Sequence, residues 1–312
     1  MEKIIVFWGA GLYGKKAFER LQAEVQQKIV FCDNDSRRWN TLYCGKRIAT
    51  IQEVQEFWES GSLDTLVLTV ARWEDIFLQC IDMGITKDKI KIFDANGGKM
   101  CELDETYRQN VYSQDGEELF LREVFQSKKK GFYVDIGANH PYRFSNTLWA
   151  YQKGWRGINV EPGIKNYKLL EVLRSEDINI NCGISNQEGE LIYYEFEENG
   201  LNTFDKEEAE KLGNYINVRS VPVCKLDSIF KRYKVHEVDF LDIDVEGTEL
   251  QVLESIDWEK INVKFILLEQ RGLTLKGVLQ SQEYKFLTNM GYEAIGKFDR
   301  TVIYEKKEVN FN

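Results

Sequence analysis

"GFYVDIGANHPYRFSNT", residues 131–147, is an apolar run that breaks on an aspartate, a glycine and a polar turn. The run has the character of a strand, and the segment behind the turn, "SNTLWAYQKG", has the apolar spacing of a helix. A second strand, "RGINVEP", then closes on Glu161, and the helix "NYKLLEVLRS" leads to a third strand, "ININCGIS". Strand, helix and strand in this order form a parallel βαβ unit, whose ligand edge lies at the carboxyl ends of neighbouring strands. Asp135 and Glu161 are therefore expected side by side at that edge.

A turn that holds a pyrophosphate offers backbone amides. This one offers carboxylates, which suit a cation with a ribose diol beside it, and S-adenosylmethionine has that chemistry. Asp135 and Gly137 fit its amino-acid end, and Glu161 can accept hydrogen bonds from both ribose hydroxyls. The plainer alternative makes Asp135 a turn cap and Glu161 a solvated strand end.

The first hundred residues carry the same alternation. The runs "KIIVFW", "KIVFC", "DTLVLTV" and "KIKIF" alternate with the helical stretches "YGKKAFERLQAEV" and "RWEDIFLQCIDMG". The first turn reads Gly9-x-Gly11-x-x-Gly14, and Asp33 follows the second strand, as in a dinucleotide fingerprint. Gly9 and Gly11 would admit a pyrophosphate, Gly14 would let the helix pack closely, and Asp33 would meet a ribose hydroxyl. Four strands make a short dinucleotide site, so glycines that only shape the turn are the competing reading. Residues 94–112, with a Gly-Gly pair and no sustained period, read as a linker. The expected architecture is α/β: two Rossmann-like domains, residues 1–100 and 101–312, the second closed by an antiparallel strand pair in "GYEAIGKFDRTVIYEK".

Residues 1–100 balance 14 Lys+Arg against 14 Asp+Glu, and the totals of 41 and 51 leave 27 against 37 beyond them. The whole net charge of −10 thus lies in the second part, which repels a polyanion and argues against nucleic acid. No apolar run approaches the roughly 20 residues that span a bilayer, and "MEKIIVFWGAGLYG" breaks at glycines where a signal peptide would continue. The expectation is a cytoplasmic chain without a transmembrane segment; a homo-oligomer stays open. Six cysteines without a CxxC pair and two histidines exclude a zinc site, so any metal needs carboxylates.

"VDFLDIDVEGTEL" concentrates charge at a strand end. In an extended backbone Asp242, Asp244 and Glu246 share one face, and three buried like charges call for a sulfonium, a divalent metal or a substrate proton. A hydroxyl acceptor needs a base. His140, the only imidazole in a functional loop, is favoured, because His236 lies in the polar turn "KVHEVD". The alternative is Mg2+ on Asp242 and Asp244, with Glu269 able to join them. Asp244 and Glu246 also have structural readings, as a turn acceptor and a helix cap. Tyr193, Tyr194 and Phe204, in a hairpin and loop at "GELIYYEFEENGLNTFD", fit core better than a sugar platform.

"YSQDGEELFL", "GFYVDIGANHP", "GWRGINVEP", "CGISN", "VPVCKLDSIF", "VDFLDIDVEGTELQVLESIDW" and "FILLE" occur in this order over about residues 112–270. In this the chain resembles the FkbM-like S-adenosylmethionine methyltransferases. The resemblance implies a class I methyltransferase fold and methyl transfer to a hydroxyl. It implies cofactor contacts from Asp135, Gly137, Asn139 and Glu161, with Ser185 and Asn186 near the adenine and Ser113 and Gln114 covering the site. His140-Pro141 departs from the small residue and glycine of many members, and the form "ANHPYRFSNT" resembles a subset associated with glycan modification. "FCDNDSRRWN" with "CGKRIAT" resembles the small N-terminal domains of bacterial sugar-modifying enzymes, whose ligand can be a nucleotide-sugar. The expected reaction is methylation of a hydroxyl on a glycan or nucleotide-activated sugar. A lipid or metabolite acceptor, an NAD-dependent sugar oxidoreductase run by the first domain, or a non-catalytic binding protein are the alternatives.

Overall fold

In the computed structural model, which describes residues 3–95, 98–103 and 111–307, the chain divides into two compact units, Met1–Gln109 and Asn110–Asn312. Among the described residues no helix is long and apolar enough to cross a membrane. All six cysteines are free thiols.

The first unit holds seven strands: β1 (Ile4–Trp8), β2 (Ile29–Cys32), β3 (Leu42–Tyr43), β4 (Lys46–Ala49), β5 (Leu63–Leu68), β6 (Ile90–Asp94) and β7 (Lys99–Cys101). They form one sheet in the order β3-β4-β2-β1-β5-β6-β7. The four expected strands are its parallel centre. The sheet is larger than expected because β3, β4 and β7 run only two to four residues, too short for an apolar period to show. β7 lies inside the expected linker, folded back antiparallel on β6. Of that linker, residues 96–97 and 104–110 lie outside the described residues. The expected helix "YGKKAFERLQAEV" divides into Leu12–Glu19 and Ala23–Gln27.

The second unit contains β8 (Phe132–Ile136), β9 (Arg156–Val160), β10 (Ile178–Ile180), β11 (Gly183–Ile184), β12 (Gly189–Glu195), β13 (Asn217–Cys224), β14 (Glu237–Ile243), β15 (Asn262–Glu269), β16 (Tyr292–Lys297) and β17 (Thr301–Lys306). Its main sheet runs β10-β9-β8-β14-β15-β17-β16. The first five of these are parallel, and β17 and β16 close the sheet antiparallel as expected. From β8 the chain moves outward through β9 and β10, then returns to the other side at β14. The crevice between β8 and β14 is thus the topological switch point, where open α/β sheets bind ligands.

Two expectations for this unit change. "ININCGIS" divides between β10 in the main sheet and β11 in a second sheet of order β11-β13-β12. β12 pairs along its length with the distant β13, and the expected local hairpin survives only as one bridge between Tyr194 and Thr203.

The two faces of the main sheet carry different cores. Val134, Ile136, Ile158, Val160, Leu241, Ile243, Ile266 and Leu268 point to an aliphatic layer completed by Ile229, Val252 and Leu253. Tyr133, Phe240, Phe265 and Leu267 point the other way, to an aromatic layer with Phe125, Trp149 and Trp155. Because side chains alternate along a strand, Asp135, Asp242 and Glu269 lie on this aromatic face, one step beyond Tyr133, Phe240 and Leu267.

Gly157 of β9 is the register partner of Tyr133. A Cβ there would lie 2.3 Å from the Tyr133 ring, and that ring cannot swing aside because its hydroxyl donates to Asp177 at 2.6 Å and accepts from Arg174 at 2.7 Å. Gly157→Ala should therefore destabilise the chain by about 1–3 kcal/mol through overpacking. Urea denaturation checks this, and a midpoint equal to wild type would contradict it.

Candidate functional site

Four parallel strands in the spatial order β9-β8-β14-β15 end on acidic residues: Glu161 just past β9, Asp135 in β8, Asp242 in β14 and Glu269 at the end of β15. All four are buried. Asp135 and Asp242 are direct register partners across the switch point. Asp135 accepts from the Thr147 hydroxyl at 2.7 Å, and Asp242 accepts from the Asn146 amide at 3.2 Å. Burial pushes the Asp135 carboxyl up to about 6, against the opposing effects of Thr147 and Arg174. Burial and then the neighbouring Asp135 and Asp244 carboxylates push Asp242 well above the usual range.

The turn after β8 is built around Glu161. Gly137 has φ +84, and a Cβ on it would fall 1.8 Å from the Asp244 carbonyl oxygen, so the chain passes here only as glycine. The amides of Gly137 and Ala138 both donate to the Val160 carbonyl, at 3.0 and 3.1 Å. Asn139 follows in the left-handed region at φ 48. Its backbone N–H donates to Glu161 Oε2 at 2.7 Å, and the Gly163 N–H donates to Oε1 at 2.6 Å. Each carboxylate oxygen keeps a second lone pair. Burial raises Glu161 to about 7 despite these two bonds. Asn139 Oδ1 accepts from Asn166 at 2.6 Å, which holds the side chain over the turn.

His140 is also part of this turn, in a role that differs from the expected base. Its Nδ1 accepts the backbone N–H groups of Tyr142 at 3.1 Å and Arg143 at 3.0 Å. The lone pair that would take a substrate proton is spent on the backbone, which leaves Nε2 as the protonated nitrogen of the neutral ring. His236 is exposed.

Beyond β14 the expected single face breaks. The strand ends at Ile243 and Glu246 sits at φ 53, so Asp242, Asp244 and Glu246 do not continue one extended run. Asp242 turns to Asp135 and Asn146. Asp244, Glu246 and Glu269 instead gather with carboxylate oxygens within 4.8 Å of one another. The expected Mg2+ set of Asp242, Asp244 and Glu269 is therefore not assembled. Arg271 already neutralises part of the gathered cluster, at 2.9 Å from Glu246 and 3.3 Å from Glu269.

Burial and the nearby Glu246 raise Glu269 to about 7; burial and Asp244 raise Glu246 to about 7. Withdrawal from bulk water, the Glu269 charge and a hydrogen bond with it raise Asp244. Water does reach Asp244, so the like charge beside it is the firmer of these causes. A carboxyl-to-carboxylate hydrogen bond requires one shared proton. The helix behind the turn, Glu249–Glu254, has Thr248 rather than Glu246 at its N-cap position.

The other expected contacts divide. Ser185 is buried, and among the described residues its hydroxyl has no hydrogen-bond partner, as a group awaiting a ligand would be. Asn186 is exposed and donates to Glu254 at 2.9 Å. Ser113 is buried and its hydroxyl is engaged by Glu118, while Gln114 is exposed. Tyr193 is buried, with its ring centroid 4.6 Å from that of Phe204, so this pair fills core.

In the first unit, Gly9 and Gly14 are needed by the turn itself. A Cβ on Gly9 would lie 2.6 Å from Val70, and one on Gly14 would lie 2.2 Å from the Gly9 carbonyl. A Cβ on Gly11 would meet nothing within 4 Å among the described residues. Asp33 is largely engaged within the chain: Oδ2 accepts from Ala10 N–H at 3.0 Å and Arg38 at 2.8 Å, and Oδ1 accepts from Asp35 N–H at 3.0 Å, which leaves one lone pair on Oδ1.

Four residues of the second unit's site were not anticipated. Asn146, Thr147 and Arg271 touch the carboxylates directly, and Arg174 reaches Thr147. The only signal for the first two was the polar "SNT" that precedes the helix Leu148–Gln152.

A family model described as "Methyltransferase FkbM domain" matches residues 135–294. A search of curated proteins gave no match. Among solved structures, a methyltransferase FkbM from Methylobacillus flagellatus aligns over 97% of this chain and 90% of its own, with 14% identity and a TM-score of 0.37. A putative class I S-adenosylmethionine-dependent methyltransferase from Listeria monocytogenes aligns over 96% and 80%, with 11% identity and a TM-score of 0.31. A UDP-D-quinovosamine 4-dehydrogenase from Vibrio fischeri aligns over 33% of this chain and 94% of its own, with 16% identity and a TM-score of 0.26. At these TM-scores the structural likenesses carry no weight.

The glycine geometry makes a paired prediction. Gly137→Ala should lower thermal stability by more than about 2 kcal/mol, combining backbone strain with a clash against immobile backbone. Gly11→Ala meets no clash and, at the N-cap of the helix Leu12–Glu19, should cost no more than about 1 kcal/mol, and equal melting of the two variants would contradict the account.

Proposed function

The chain belongs to the family of FkbM-domain methyltransferases, and from that premise we propose that it transfers a methyl group from S-adenosylmethionine to a hydroxyl of a carbohydrate. The observation that carries the cofactor reading is the buried pair Asp135 and Glu161, at the ends of adjacent parallel strands. The family implies a cofactor of the S-adenosylmethionine type, and the donor set fits it. Glu161 keeps free lone pairs for a diol, Asp135 supplies charge for an ammonium, and the unpartnered Ser185 hydroxyl is available for the adenine side. When bound, the cofactor supplies an activated methyl group on a sulfonium.

The remaining work falls to the chain's own residues. Carboxyls near 7 are partly ionised at neutral pH, which matches the proton affinity of a general base to its task. We assign the base to the Asp244–Glu269 pair, because His140 has committed its lone pair to the turn. A rim of carboxylates with Arg271 among them offers acceptors and donors together, the combination that a vicinal diol satisfies in both directions. This favours a sugar over a lipid acceptor. A second reading concerns the first unit. Gly11 stands at the N-cap of the helix Leu12–Glu19, where a Cβ would meet no described residue within 4 Å, and such a helix start favours a phosphate-bearing ligand, such as a nucleotide-sugar; Asp33, with three of its four acceptor positions taken, argues against NAD there.

Glu161→Ala should weaken binding of S-adenosylhomocysteine by more than about 1 kcal/mol, through loss of a charged hydrogen-bond partner. Calorimetric titration checks this, and unchanged affinity in a folded variant would overturn the cofactor assignment. Methyl transfer to a responsive sugar in an acceptor panel should rise as pH increases through about 7, because the base must lose its proton to act. Glu269→Gln should lower the plateau at least about tenfold and remove that limb. A retained limb in the variant would move the base elsewhere.

A further inference from the structure

Asp135 and Asp242 face each other across the switch point, and both are buried. Two desolvated carboxylates this close do not both ionise readily, so one keeps the proton. The hydrogen-bond pattern around them selects which. Arg174, 1% exposed, donates through Nη2 to the Tyr133 hydroxyl at 2.7 Å and to Thr147 Oγ1 at 3.2 Å. It also donates to the Pro141 carbonyl at 3.3 Å and pairs with buried Asp177 at 3.1 Å.

A guanidinium can only donate, so Thr147 Oγ1 must accept from it. The threonine's single proton is then free for Asp135 Oδ2 at 2.7 Å, a better distance than the 3.3 Å to the Ser145 hydroxyl, which can fill the other lone pair of Oγ1. Asp135 therefore receives a proton donor that is itself polarised by a cation. Among the described residues, Asp242 receives only the neutral amide of Asn146, at 3.2 Å.

We infer that Arg174 and Thr147 form a one-way hydrogen-bond relay that fixes the negative charge of the carboxylate pair on Asp135, ready for the cationic end of the cofactor, and leaves the proton on Asp242. The two are positioning residues, and the inference rests on the cofactor reading above for what the charge meets. The other ionisable groups favour the same order, because the Asp244 and Glu117 carboxylates raise Asp242, and several charges also bear on Asp135. Asp242 and Asp244 on the β14 side and Glu161 past β9 repel it, and Asp177 below Arg174 offsets part of the arginine's charge. Burial raises Asp135 only to about 6, whereas Asp242 goes well above the carboxylate range, in the order that the relay requires.

The test is Thr147→Val, which keeps the shape and removes the hydroxyl. Carbon-13 NMR of carboxyl-labelled aspartates in the full chain, with Asp135→Asn to assign the signal, should show the Asp135 midpoint raised by about one pH unit or more, the worth of one hydrogen bond to a charge. Thr147→Ala, which adds no bulk, should raise it likewise, and Thr147→Ser should restore the wild-type midpoint. In calorimetry, S-adenosylhomocysteine affinity of Thr147→Val should fall about threefold or more at pH 6.5 and stay within about 1.5-fold of wild type at pH 8.5, because deprotonation at high pH replaces what the relay does. An unmoved midpoint in folded Thr147→Val and Thr147→Ala, or an equal loss of affinity at both pH values, would overturn the relay. Wild-type protein that binds no S-adenosylhomocysteine at any pH would overturn the cofactor reading instead, and the NMR midpoint would still decide the relay.

Discussion

Everything at the carboxyl edge of the second unit depends on one electrostatic constraint: acidic groups on four neighbouring strands are held out of water on the same face. Ionised carboxylates lose hydration when buried and repel one another, so such an edge is stable only with protons, donors or a cation in place. The fold supplies each of these in part. Glu161 takes two backbone N–H groups, Asp135 takes a hydroxyl backed by an arginine, and Glu269, beside the Asp244 carboxyl, pairs with Arg271. What remains unsatisfied is positive charge near Asp135 and Asp242, and that is what a sulfonium or ammonium brings.

The same constraint accounts for the framework beneath the edge. In the aromatic layer of Tyr133, Trp149, Trp155 and Phe240, Arg174 and Asp177 occupy the Tyr133 hydroxyl, the Trp155 indole donates to the Lys128 carbonyl, and the Trp149 indole N–H reaches no acceptor among the described residues. Support for the acids above comes from the side, through the loop after β8. That loop crosses the end of β14 so closely that Gly137 has no room for a Cβ, and it is braced by His140 through two backbone amides. In the proposed reading the site divides in two, with the cofactor assigned to Glu161 and Asp135 and the acceptor assigned to Asp244, Glu246, Glu269 and Arg271.

Much of this edge was legible in the sequence, because strand period and chain order alone bring Asp135 and Glu161 together. The closing pair β16 and β17 was legible for the same reason. What could not be read depended on where strands stop. "VDFLDIDVEG" looks extended throughout, but the strand ends at Ile243, and that single ending sends Asp242 and Asp244 to different neighbours. His140 looked like a base because sequence shows a residue type and not the direction of its lone pair. Arg174 gave no sign, since a basic residue near the end of an amphipathic helix is ordinarily solvated, and here tertiary packing buries it. In the first unit the fingerprint was legible, but the hydrogen bonds that occupy Asp33 were not.

The central claim is that the edge is charge-starved until the cofactor's cation arrives, and proton linkage measures it directly. S-adenosylmethionine should be titrated calorimetrically near pH 6.5 in buffers of different ionisation enthalpy. Asp135 at about 6 and Glu161 at about 7 are partly protonated there, and a bound cation lowers both, so protons must leave on binding. The account predicts a net release that diminishes towards pH 8.5. Binding with no dependence on buffer, or with proton uptake, would contradict it.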